Sequence, residues 1–88
     1  MKLETDSKGD FFVEPSVLAD RLGLGTDELR RRMRLGLVTS TVEDGSGQDE
    51  GRRRLTVRSG NSVWRAIVDS ERTVLSEEAF TLGRGTAG

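Results

Sequence analysis

Arginine is the side chain in this sequence with the most chemistry on offer. Four of them fall within five positions, Arg30-Arg31-Arg32-Met33-Arg34. A guanidinium is planar, always charged and rich in donors, which suits it to phosphates and carboxylates. On an exposed helix, such a run could meet phosphates and guanine edges in a DNA major groove. Asp27 and Glu28 stand on the same stretch, however, and 14 basic residues against 15 acidic ones leave a formal net charge of -1. Phosphate neutralisation supplies much of the affinity for nucleic acid. The charge balance therefore favours a solvated helix face, with one arginine stem lying over the core.

Arg52, Arg54 and Arg58 form a second group. Strand alternation puts them on one face, and Arg65 joins them if the next strand pairs back as a hairpin. Val63 and Ile67 share that face, so the surface mixes arginine with apolar side chains. Such a mixture suits a protein partner or self-association better than bare phosphate. The candidate macromolecule-binding residues are therefore Arg30, Arg31, Arg34, Arg52, Arg54, Arg58 and Arg65.

Other chemistries find little support. There is no cysteine and no histidine, so thiolate chemistry, disulfides, the commonest metal ligand and the commonest general base are absent. Oxygens at Asp44, Ser46, Gln48 and Glu50 follow the start of a calcium loop. Its required glycine is replaced by Asp49, though, and its closing carboxylate by Leu55. Gly23-x-Gly25 lacks the third glycine of a dinucleotide fingerprint, because Glu28 stands there. The carboxylates fall in loops or on helix surfaces, and nothing near the serines and threonines could activate them. No catalytic residue, metal, cofactor or small-molecule ligand is expected.

The elements that must position the arginines follow from periodicity. A chain of 88 residues builds one domain, with a packed part from about residue 10 to 82 and flexible ends at 1–9 and 83–88. Phe11-Phe12-Val13 reads either as a brief strand added to the sheet or as an extended lead-in. Pro15 opens a helix whose stripe is Val17, Leu18, Ala19 and Leu22, and Gly23 ends it. Thr26 is the expected N-cap of a second helix that buries Leu29 and Met33, with Leu35 near its end and Gly36 closing it. Arg30, Arg31 and Arg34 fall on the far side.

From Leu37 the period becomes alternating. Strands are expected at 37–42, 52–58 and 63–68, then a short one at 73–75. Leu55 and Val57 share one face, as do Trp64, Ala66 and Val68. Ser76 is expected to cap a short helix from Glu77 to Leu82 that tucks Phe80 inward. The order is a short strand, a two-helix corner and an antiparallel meander, which is an α+β fold. The start lacks the apolar core of a signal peptide, and no run approaches a membrane span, so a cytoplasmic protein without membrane contact is expected.

Two resemblances add to this reading. Ala19 and Gly23, four apart, together with Leu18, Leu22, Leu24 and Leu29, resemble a helix-turn-helix unit. The exit Arg34-Leu35-Gly36-Leu37-Val38 is similar to regulators of the MerR type, where a wing follows. Arg32 departs from the motif, which has an apolar residue three after Leu29, so Met33 would have to supply that contact. Over a longer span the chain resembles a small uncharacterised family of bacterial domains. That likeness rests on Leu22-Gly23-Leu24, Met33-Arg34, Gly36, Glu43-Asp44-Gly45, Gly47, Asp49, Gly51-Arg52 and Arg54-Leu55-Thr56. It implies a compact stand-alone domain, with a glycine expected near Arg72. The leading expectation is a non-enzymatic module that binds another protein or itself; the alternative is a DNA-binding winged helix-turn-helix.

Overall fold

The computed structural model describes residues 1–83. Two short strands, β1 (Glu4–Thr5) and β2 (Phe11–Phe12), form a hairpin ahead of helices α1 (Pro15–Leu22) and α2 (Thr26–Arg34). Strands β3 (Val38–Asp44), β4 (Arg53–Ser59), β5 (Ser62–Val68) and β6 (Val74–Thr81) then form one antiparallel sheet in that order. The fold is α+β, with helices on one sheet face.

The helical corner is closed by two glycines at left-handed positions. Gly23 (φ 73°) lets Leu24 N–H reach back to Ala19 O at 2.9 Å, beside a Gly23 N–H bond to Asp20 O. Gly36 (φ 73°) does the same for α2, with Leu37 N–H on Arg32 O at 2.8 Å. Both are Schellman closures, which satisfy carbonyls that the last turn would otherwise leave bare. Pro15 occupies the first turn of α1 as expected. Thr26 is not the N-cap of α2: Gly25 holds that position and Thr26 is the first helical residue.

Register explains which side chains are buried. β4 pairs with β5 so that Leu55 faces Ala66 and Val57 faces Trp64. These four join Leu18, Ala19, Leu22, Leu29, Val68 and Leu3 in a single core. Trp64, Ala66, Val68 and Leu29 are fully buried. Leu3 lies outside the expected core. Residues 1–9 were expected to be flexible, yet Leu3 N–H bonds to Arg72 O at 2.8 Å and Val74 N–H to Met1 O at 2.7 Å. The start of the chain is thereby tied to the start of β6.

Three other expectations change. Phe11–Phe12 is a strand, but it pairs with Glu4–Thr5 and does not join the main sheet. The segment expected as a C-terminal helix, Glu77 to Leu82, is β strand through Thr81, paired with β5 from Ser62–Thr81 to Val68–Val74. Strand pairing satisfies every second backbone group of β5, which a short exposed helix could not do. Phe80 therefore falls on the sheet face away from the helices. Met33 is half exposed and Leu35 more so, so α2 buries only Leu29 fully. The expected flexible end at 83–88 lies almost wholly outside the described residues.

Candidate functional site

Alternation along the four strands sorts the sheet into a covered and an open face. Thr39, Arg58, Val63 and Phe80 form one cross-strand row of the open face. Thr41, Thr56, Arg65 and Glu78 form the next, and Glu43, Arg54, Ile67 and Ser76 the third. Arg65 thus sits between Arg54 and Arg58 along the sheet, as the expected register requires. Arg52 precedes β4 and lines a cavity of about 230 Å³ with Glu43, Arg54 and Ile67, at the end of the same face. The structure places Arg52, Arg54, Arg58 and Arg65 on one face of the sheet, spread along its length.

These arginines are already engaged. Arg54 donates from Nε and Nη2 to Glu43 Oε1 at 2.9 and 2.7 Å across the β3–β4 ladder. Arg58 Nε–H bonds to Gly60 O at 2.8 Å. Arg65 stacks over Phe80, 5.3 Å from the ring centroid, with Nη1 3.5 Å from Glu78. Its Nε–H is shut off from solvent and has no acceptor among the described residues. A guanidinium set over a ring, beside buried Val63 and half-buried Ile67, presents an amphipathic surface rather than a bare cation.

The arginines of α2 lie on the other side of the sheet. Leu29 points into the covered core, and Arg32 follows it by three residues, onto the same side of the helix. Arg32 Nε–H bonds to Glu28 Oε2 at 2.8 Å, and its Nη1 reaches the hydroxyl of buried Ser59 at 3.1 Å. Arg32 therefore fills the position where Met33 was expected to make the contact. Its stem is the arginine stem that lies over the core. Arg31 also pairs with Glu28, at 3.2 Å. The Arg32 hydrogen bond, helped by Arg31, holds the Glu28 carboxyl below its ordinary range.

Arg30 and Arg34 are exposed and form no ion pair among the described residues. The acidic connection after β3 lies at the opposite end of that strand, roughly 20 Å away by strand rise.

A further contact, partly open to solvent, was not visible in the sequence. Glu77 Oε1 on β6 accepts from Arg21 Nε of α1 at 2.6 Å and from Trp64 Nε1 of β5 at 2.8 Å. The Arg21 hydrogen bond first, then that of Trp64, lowers the Glu77 carboxyl from its usual range. One carboxylate thereby joins three elements. Reading Glu77 as helical hid this, because only strand register puts it opposite Ala66 and beside Trp64.

A cleft of about 470 Å³ opens where three connections meet, lined by Phe11, Arg52, Arg53, Asp69 and Arg72 among others. Arg53 pairs with Asp44 at 3.4 Å, while Asp69 Oδ1 accepts from Glu71 and Thr73 N–H to fix the β5–β6 turn. Among the described residues no group of acidic side chains could hold a metal ion, and no helix is long and apolar enough to cross a membrane.

Fold and surface together define a small antiparallel sheet with two helices on one face and arginines set among apolar side chains on the other. The chain belongs to a family of unknown function, DUF6522, whose model matches residues 1–87. Neither the curated proteins nor the solved structures gave a match.

Proposed function

We propose that this protein is a non-enzymatic module that binds another protein through the open face of its sheet. The observation that carries this reading is that Arg54 and Arg65 are balanced there by Glu43 and Glu78 and interleaved with Val63, Ile67 and Phe80. Phosphate binding needs positive charge left over. Protein interfaces instead favour arginine and aromatic groups around apolar patches. The α2 arginines, on the other side of the sheet, form no part of this surface.

The test is capture of partners from extracts of the source cell by the tagged chain and by a variant with Arg52→Glu, Arg54→Glu and Arg58→Glu. The expected result is loss of a specific partner with the far-ultraviolet circular dichroism unchanged. Partners retained by the folded variant would refute the open face as the interface.

A second reading, a bacterial DNA-binding winged helix-turn-helix like MerR-type regulators, is favoured by exposed Arg30 and Arg34 on a helix held in a tight corner. It predicts salt-sensitive binding to duplex DNA that Arg30→Ala with Arg31→Ala abolishes. A flat titration at low salt would rule it out.

A further inference from the structure

The two edges of the main sheet are treated differently. β6 is flanked at its start by residues 1–3, through the Leu3–Arg72 and Met1–Val74 hydrogen bonds and the Lys2–Thr73 bridge. Its register is also broken between Ile67 and Val68, and it carries Glu77 and Glu78 side by side. Covering, irregularity and charge are the devices that stop an edge from pairing.

Among the described residues, β3 has none of these from Val38 to Val42. Its sequence there is Val-Thr-Ser-Thr-Val, and it pairs with β4 without a break from Val38–Ser59 to Asp44–Arg53. Gly45 N–H bonds to Arg52 O at 2.8 Å. Antiparallel alternation counted from that pair turns the N–H and C=O of Val38, Ser40, Val42 and Asp44 outward. On the helix side of this edge lies a groove of about 280 Å³ with Phe12, Met33, Val38, Ser40 and Leu55 in its walls. Phe12, Met33 and Val42 are all close to half exposed.

We infer that β3 is a self-pairing edge, on which two copies of the chain join antiparallel about a twofold axis at Thr41. In that register Val38 meets Asp44 of the second copy and Ser40 meets Val42 of the second copy. Every outward backbone group from Val38 to Asp44 is then paired. Charge selects a second copy as the occupant. β3 begins just after Arg30, Arg31 and Arg34 and ends in Glu43 and Asp44. Antiparallel pairing therefore lays the basic start of each strand on the acidic end of the other. Across the joint the open face reads Arg58, Thr39, then Glu43 and Arg54 of the second copy. Val42 of the second copy falls beside Ser40, over the groove. A twofold contact uses up β3 in both chains, so assembly stops at a dimer.

This inference rests on the reading of the protein as an interaction module and extends its open face across two chains. It depends on the backbone edge of β3, not on the arginine side chains of the open face, so the two can fail separately.

Sedimentation equilibrium on the full chain, over roughly micromolar to millimolar concentration, tests it against Ser40→Pro and Val42→Lys. Proline is accepted on an edge strand where its N–H faced solvent, so Ser40→Pro removes an intermolecular donor while leaving the β3–β4 ladder intact. The wild-type chain should be dimeric, with association weakened by at least about tenfold in each variant and weakened also by added salt. Far-ultraviolet circular dichroism and Trp64 fluorescence should stay unchanged. If Ser40→Pro loses the native spectrum, Val42→Lys, at an exposed position, decides alone. A monomer throughout, a larger assembly, or a dimer that folded Val42→Lys leaves intact would overturn the inference. Loss of partners in the Arg52, Arg54 and Arg58 variant with the dimer retained would support both readings independently.

Discussion

Replacing Glu77 by alanine should destabilise the protein by about 2–3 kcal/mol, mostly through Trp64. The carboxylate accepts from Trp64 Nε1 at 2.8 Å, and the Trp64 residue has no solvent exposure. Removing the acceptor leaves an indole N–H with no partner, at a cost of roughly 1–3 kcal/mol. The Arg21 contact is short, at 2.6 Å, but both side chains are about a third exposed. Solvent screening limits its share to roughly 0–1 kcal/mol. Glu77→Gln keeps one oxygen for Trp64 and should cost only about 1 kcal/mol.

Acid titration separates charge from shape. The Glu77 carboxyl is lowered in the folded state, so the unfolded chain binds its proton first as pH falls. Its contribution is full above the ordinary glutamate value of about 4.3 and is lost as pH drops through the lower folded value. Glu77→Gln should therefore flatten the fall in stability between neutral pH and that acid window. Trp64 is the single tryptophan, so urea unfolding followed by its fluorescence reads the transition directly. Equal stability of Glu77→Ala and wild type, or an unchanged acid slope in Glu77→Gln, would refute the argument.

Arg32→Ala should lower stability by about 1–2 kcal/mol, because it strips the partner from buried Ser59 and uncovers the core. Arg31→Ala, on the exposed side, should shift the urea midpoint by much less. Arg72 holds a left-handed backbone (φ 68°) at the β5–β6 turn, so Arg72→Gly should stabilise by about 1 kcal/mol and raise the melting temperature by roughly 4–8 °C. Gly23→Ala should act in the opposite sense by about 1–2 kcal/mol, since the same left-handed position closes α1 there. Thermal melts of these two variants check both signs together.

Arg72 also shows how far a family likeness reaches. A glycine is expected in that turn, and the backbone there does adopt the conformation that glycine tolerates best, with arginine in its place. The backbone requirement was readable; which side chain would bear it was not.

What the sequence by itself determined was local. The period change at Leu37, the glycines at 23 and 36, and the alternation in Arg52–Arg58 and Val63–Val68 are enough to set the α+β order. They also set the β4–β5 register, and with it the meeting of Arg54, Arg58 and Arg65 on one face. Each of these follows from neighbours a few residues apart. Tertiary structure decided what depends on distant partners. Ser76 to Thr81 is strand because β5 offers it a ladder, which its own helix-like composition could not reveal. Leu3 is core because residues 1–3 bond to the start of β6. Arg32 turns inward because Ser59, 27 residues later, supplies an acceptor at the covered edge. The arginines of α2 and of the sheet look like one basic endowment in the sequence. The sheet lies between them and separates them into two surfaces, because a helix packed on one face cannot share the other.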